Sequence, residues 1–478
     1  MRLGFHMMPI KYNQELKQVE NLKNSWKLKE ALNILNDFDE EKVLTTLERF
    51  QFYVLKSSIL EDLFFAKDAL NYAELAYEES KEFETNSEII NVLILKSQIL
   101  RGMLKPHKAL EMINEAEEKL IDINQTPSQE FKMKKGYILY HKGTCYFNLG
   151  ELNRCLRFVG EASKLAIEIN DKKLIMHTTK WLGFAYGTKG ESDHALEYQK
   201  RYLTQATELN DKQEIIGGHN TLGLAYTNKG DFKQAIDHLE KGLSLCHEIN
   251  SWKTFIVSTS LFEAYLKSNS LEKAQQCHER MAVFVKQGTY EFNNLAYRLQ
   301  EAALLKKKPH EASHSKAEKI FKEVADKETS FIEFKIFALV NLCDLYLIRL
   351  KDTNNLQELD KIQPYIDKIS SIAENEEIYS LLTEIYSLQA KLRLVIFEFK
   401  EAQLLLTKAL NIATTYGLNL LARRVEKEQA ELSKNYLKWE KLRTSGGKIS
   451  ERMDLARVDE QIQILLQKRK YLRGISSS

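Results

Sequence analysis

The sequence predicts an all-α protein, a stacked array of paired helices (an α-solenoid) with a C-terminal helical hairpin as its cap. Three observations carry this. Pro9, Pro106, Pro127, Pro309 and Pro364 are the only prolines in 478 residues and glycine is held to 19, so long stretches carry no helix breaker. Hydrophobic residues make up 44% and charged residues 28%, which supports a sizeable core and opposes global disorder. The third observation is a repeat. Tyr146, Tyr186, Tyr226 and Tyr265 stand in matching segments at steps of 40, 40 and 39 residues. Recurrence at a fixed period marks a stacked array in which each unit buries its face on its neighbours.

The unit explains itself residue by residue. "HKGTCYFNLGELNRCL" from His141, "WLGFAYGTKGESDHAL" from Trp181 and "TLGLAYTNKGDFKQAI" from Thr221 align directly, and "LFEAYLKSNSLEKAQ" from Leu261 follows in weaker form. Gly143, Gly183 and Gly223 lie on a first helix, A. Cys155, Ala195, Ala235 and Ala274 lie on a second, B, where lack of bulk lets two antiparallel helices approach closely. Gly150, Gly190 and Gly230 end helix A, since glycine tolerates the left-handed conformation there. Glu151, Glu191 and Asp231 then favour the N-terminus of helix B. Between units, "EIND", "ELND" and "EINS" recur at 168, 208 and 248. Asn is expected to end one helix, and Asp or Ser to cap the next.

This pattern, Gly-x-x-Tyr on helix A followed by Gly and a small residue, resembles the tetratricopeptide repeat, and the resemblance implies a right-handed superhelical array. The repeat here is of a long type, and it lacks the proline that usually closes the shorter unit. Segments with an alanine at the helix-B crossing extend the resemblance to Ala31, Ala69, Ala109, Ala317 and Ala402, with a degenerate unit around 331–373. The expected organisation is a lead segment at 1–17, degenerate repeats at 18–136, the best repeats at 137–288 and degenerate ones again at 289–417. A capping hairpin at 418–473 and a frayed tail at 474–478 follow. HEAT or armadillo arrays have a similar period but not the Gly-x-x-Tyr…Gly…Ala pattern.

The capping hairpin is read from Leu418, Leu421, Val425, Leu432 and Trp439 at helical spacing, a turn at "TSGGK", then Val458, Ile462, Leu465 and Leu472 on one face. Residues 418–478 carry fourteen Lys/Arg against eight Asp/Glu, a net of +6, which leaves −4 for the rest of a chain whose total is +2. The overall balance offers no field that draws in nucleic acid or a membrane. The basic end leaves room for a weakly held acidic partner, but a solvated helix end is the simpler reading, since short basic runs are common and no aromatic platform is interleaved. "SGGKIS" lacks the Gly at 442 and the Ser or Thr at 449 of a phosphate-binding loop.

Catalytic constellations are few. His310-Glu311-x-x-His314 has the spacing of a zinc protease, but three lysines and Pro309 precede it and no third ligand is evident, with Glu318 and Glu333 left open. It reads as an exposed lysine-rich turn between helices. Five widely spaced cysteines with no Cys-x-x-Cys pair read as reduced, buried thiols of a cytoplasmic protein. No apolar run is long enough to span a bilayer, and no cofactor fingerprint is present.

The resemblance implies that function lies on helix A, whose side chains line a concave channel for an extended peptide or partner helix. Transferred position by position, the channel residues are Tyr140, Thr144 and Asn148; Lys180, Phe184 and Thr188; Asn220, Leu224 and Asn228; and Thr259, Glu263 and Lys267. Only Lys180 and Asn220 resemble the cluster that grips chaperone C-termini, so that ligand class is not implied. The expectation is a non-catalytic scaffold or adaptor with protein or peptide partners. Two alternatives stand beside it: a peptide-sensing signalling regulator whose curvature changes on binding, and a zinc-dependent hydrolase acting through His310 and His314. The sequence names no partner or pathway.

Overall fold

The computed structural model describes residues 14–473, apart from 38–44, 64, 85, 104, 122–127, 190, 250, 252, 287–290 and 329–330. The side chains of 420 and 467–473 are likewise outside the description. Every regular element among the described residues is an α-helix. The expected lead segment lies outside the described residues as far as residue 13, and so do the frayed tail, Gly190 and Asn250.

The helices come as consecutive pairs, each pair an A and a B helix packed together. They are α1 (Gln14–Asn24) with α2 (Leu28–Asn36), α3 (Thr46–Asp62) with α4 (Ala66–Ser80), α5 (Ser87–Gly102) with α6 (Pro106–Ile121), and α7 (Gln129–Asn148) with α8 (Leu152–Glu168). Then come α9 (Lys172–Thr188) and α10 (Ser192–Glu208), α11 (Lys212–Lys229) and α12 (Phe232–Glu248), and α13 (Thr254–Lys267) and α14 (Leu271–Lys286). The last pairs are α15 (Glu291–Lys307) with α16 (Glu311–Asp326), α17 (Ile332–Thr353) with α18 (Gln357–Asn375), and α19 (Tyr379–Val395) with α20 (Phe399–Thr415). The terminal helices are α21 (Asn419–Lys434), α22 (Tyr436–Ser445), α23 (Ile449–Ala456) and α24 (Val458–Arg473).

The chain divides into two compact units, Met1–Tyr202 and Leu203–Arg473, with the boundary inside α10. In the first, α2, α4, α6 and α8 each pack on their own A helix and on the next one, while α1, α3, α5, α7 and α9 touch in sequence. In the second, α12, α14, α16, α18 and α20 bridge in the same way, and one hydrophobic core runs from Ile216 to Leu465. This is the stacking that a solenoid of hairpins requires. The crossing alanines Ala31, Ala69, Ala109, Ala235, Ala317 and Ala402 are all fully buried.

The joints obey the sequence. Asn170 and Asn210 take the left-handed conformation, with φ of 56° and 50°. Asp171 then accepts hydrogen bonds from the backbone N–H of Lys173 and Leu174, and Asp211 from those of Gln213 and Glu214. Each satisfies donors that the first helical turn leaves open. Gly150 and Gly230 sit at φ 79° and 83°, where a side chain would be strained.

Two packing details differ from the expectation. The helix-A glycine meets chiefly the residue sixteen places on; the small residue twelve places on comes as near only at Gly143, where the Cys155 carbonyl oxygen would lie 3.3 Å from a Cβ. A Cβ on Gly143 would fall 2.5 Å from Val159 Cγ2, one on Gly183 would fall 2.5 Å from Gln199 Nε2, and Gly223 faces Leu239 in the same way. The notch is filled by a larger side chain from helix B, and the small residue lets the backbones close beside it. The tyrosine also stacks on the ring twelve residues later. Tyr146 lies on Phe158 and Tyr186 on Tyr198, each at 5.3 Å between centroids, and Tyr226 lies on His238 at 5.6 Å. Tyr265 has Cys277 at that position, and its hydroxyl donates to Glu240 instead, at 2.9 Å.

Candidate functional site

In the first unit, α7 and α9 are adjacent A helices and carry six of the expected channel residues. Tyr140 and Thr144 are buried, and the Thr144 hydroxyl donates to the His141 carbonyl at 2.8 Å. Lys180 is buried with its ammonium 5.6 Å from the Tyr202 ring centre. Phe184 is half-buried and meets Trp181 edge-on at 5.8 Å, and Thr188 donates to the Phe184 carbonyl at 2.9 Å. Asn148 is half-buried, and neither atom of its amide has a hydrogen-bond partner. Arg101 and His141 were not anticipated. The Arg101 guanidinium lies 5.4 Å from the Trp181 ring centre. His141 is 1% exposed with both ring nitrogens unpartnered, and burial followed by the nearby Arg101 charge holds it well below the usual imidazole range.

In the second unit, α11 and α13 are likewise adjacent. Asn220 and Leu224 are half-buried, Asn228 is exposed, and the Asn220 side-chain oxygen has no hydrogen-bond partner. The Thr259 hydroxyl donates to the Phe255 carbonyl at 2.9 Å and accepts from Gln300 at 3.1 Å, while Glu263 and Lys267 pair at 3.4 Å. Behind Asn220, His219 Nδ1 lies 3.1 Å from His238 Nδ1, so one of the two nitrogens carries the shared proton. Burial and the neighbouring His238 lower His219 to about 4.

The zinc-like motif lies differently from the expected turn. His310 precedes α16, and Glu311 begins that helix, which places His314 within its first turns and buried. The acids beside it are already engaged. Glu311 pairs with Arg349 at 3.1 Å. Burial alone would raise the Glu318 carboxyl, but Lys322, Tyr346 and Arg349 donate to it at 2.6, 2.6 and 2.7 Å and hold it at about 2. Glu318 therefore serves an arginine-tyrosine cluster. Among the described residues no group of three or more His, Cys, Asp or Glu converges on a point. All five cysteines are free and buried, and burial raises every thiol, with Cys145, Cys246 and Cys277 at about 11. Among the described residues no helix is long and apolar enough to cross a membrane.

The C-terminal helices supply what sequence reasoning missed. α21 continues the array on α20, but α23 and α24 fold back onto the A helices α17 and α19. Val458, Ile462 and Leu465 are buried at i, i+4 and i+7 of α24. Between them, Gln461 is fully buried, and its Nε2 donates to the Glu384 carbonyl at 3.0 Å and to its carboxylate at 2.9 Å. Arg424 pairs with the same carboxylate. Lys351 on α17 holds Asp454 and Asp459 at 3.3 and 2.6 Å, and the Ile449 N–H donates to Asn354 Oδ1 at 3.0 Å. Each half of the expected two-helix hairpin is itself broken, between α21 and α22 at Asn435 and between α23 and α24 at Arg457, which is left-handed at φ 55°.

Residues 217–246, which span most of one A helix and nearly all of its B helix, match the tetratricopeptide repeat family. No curated protein sequence matches the chain. Among solved structures, a Rap protein complexed with competence and sporulation factor is 13% identical, covering 84% of this chain and 98% of its own, with a TM-score of 0.47. The apo form of the quorum sensor NprR from B. thuringiensis is 14% identical, covering 74% and 97%, with a TM-score of 0.49. A tetratricopeptide repeat protein from Parabacteroides merdae is 15% identical, covering 62% and 98%, with a TM-score of 0.38. Residues 217–246 thus form a unit that matches the tetratricopeptide repeat, set in an array of consecutive helix pairs.

Proposed function

We propose that the chain is a protein-interaction scaffold without catalysis of its own, whose A helices receive a partner helix or an extended peptide. The observation that carries this reading is intramolecular: α24 lies on α17 and α19 as a ligand helix would. Its contact has the makeup of helix recognition, with apolar anchors at i, i+4 and i+7 and one buried polar pair fixing the register. Each anchor contributes about 1.5–3 kcal/mol of burial before ordering costs are subtracted. Within their own units, the A helices α9 and α11 present half-buried Phe184 and Leu224 as apolar contacts. Asn148 and Asn220 add amide groups with unused hydrogen-bonding capacity, which suits a peptide backbone.

A photo-crosslinking residue placed at Phe184 or at Leu224, one variant per unit, tests the reading in cell extract. Captured polypeptides are expected at both positions, to be lost on Asn148→Ala or Asn220→Ala respectively, and to be absent when the probe replaces the exposed B-helix residue Ile167. Capture at Ile167 alone, or capture indifferent to the asparagines, would overturn the assignment of the A helices.

A further inference from the structure

An open cleft of about 500 Å³ separates the end of the array from the folded-back helices, with walls from α19, α20, α21, α22, α23 and α24. That volume lies in the range of ordinary ligand sites. Its floor is apolar: Leu394, Leu406, Leu432, Trp439 and Ile464. Its lining charges are six cations against four acids. Most cations are already matched. Lys391 pairs with Glu428 at 3.1 Å, Arg457 and Lys427 share Glu431 at 3.0 and 4.0 Å, and Arg424 pairs with Glu384. Lys434 and Lys438, both exposed at one edge, have no carboxylate partner among the described residues. One acid lacks a cation as well: Glu460.

We propose that this cleft binds an acidic peptide segment that carries an aliphatic or aromatic side chain. The deduction rests on the reading of the A helices as a polypeptide-binding surface and names the chemistry of one of its sites. Lys434 and Lys438 supply the charge for an Asp or Glu side chain, and the Leu432–Trp439–Ile464 floor takes the apolar one. Glu428 decides the class of ligand. One of its oxygens is held by Lys391 while Oε2 is buried with no partner, so it accepts a backbone N–H. A phosphate chain or a fatty acid has no such donor. Arg457 lines the same wall from a left-handed backbone conformation, uncommon for a residue with a side chain, at the break that aims α24 away from α23.

Panning a displayed library of random dodecapeptides on the full-length protein tests this. Enriched sequences are expected to carry two or more Asp/Glu around a Leu, Ile, Phe or Trp. A synthetic copy is expected to bind at least about fivefold more weakly to K434E/K438E, since exposed ion pairs are each worth up to about 1 kcal/mol. Ile464→Arg is expected to weaken it as well. Both lysines are exposed, so charge reversal leaves the fold in place, which circular dichroism checks. Enriched peptides without acidic bias, or acidic peptides that bind K434E/K438E as tightly as the parent, would overturn the proposal. Continued crosslinking at Phe184 and Leu224 would then show that the broader reading survives without this cleft.

Discussion

Glycine has opposite meanings at two positions of one hairpin. A Cβ on Gly143 would press on the Val159 backbone nitrogen at 3.0 Å, whereas nothing lies within 4 Å of one on Gly160. Gly143→Ala is therefore expected to destabilise the protein by about 1–3 kcal/mol through overpacking. Gly160→Ala, inside α8, is expected to stabilise it by about 0.5–1 kcal/mol through helix propensity. Urea unfolding midpoints of the two variants check both signs. The His219–His238 contact gives a pH expectation. An imidazole lowered from 6.5 to about 4 by folding keeps its full contribution above pH 6.5 and loses it as pH falls toward 4. Thermal melts of the full chain at pH 7 and pH 4.5 should show a loss that His219→Asn reduces. An unchanged difference between the two pH values in that variant would remove the pair from the account. At this scale the sequence was partly legible. The helix-A glycines and tyrosines stood out by their period. The partner rings Phe158, Tyr198 and His238 share that period but differ in residue type, so an identity-based reading passed over them.

At the scale of elements, hairpins were legible because local chemistry writes them. The Asn-Asp joints and the glycine stops act within a few residues of themselves, and they fall where the structure has helix ends. The return of α24 was not legible. Its apolar row Val458, Ile462 and Leu465 is plain in the sequence, but the surface it meets lies on α17 and α19, roughly eighty residues or more away, and no periodicity connects the two. For the same reason the cleft beside it could not be drawn from the sequence, although its lysines were counted. Glu384 is the polar centre of that docking, joined to Gln461 and Arg424. Glu384→Ala strands both partners and is expected to cost about 3 kcal/mol, with faster hydrogen exchange across Ile449–Arg473. Exchange in α24 indistinguishable from the parent would mean that the apolar anchors alone hold the helix.

Across the molecule, both units use one construction: A helices in sequence, B helices bridging them, and side chains on the A helices left half-buried. A nearly neutral chain has little net long-range field, so on the proposed function recognition falls to short-range contacts along these helices. The central claim is that polypeptides dock on the A helices. Hydrogen exchange of the full chain, alone and saturated with a captured partner, tests it most directly. The account expects slowed exchange in α7 and α9 or in α11 and α13, with α8 and α12 unchanged. Protection confined to α8 and α12, or a bound partner that protects no A helix, would contradict it.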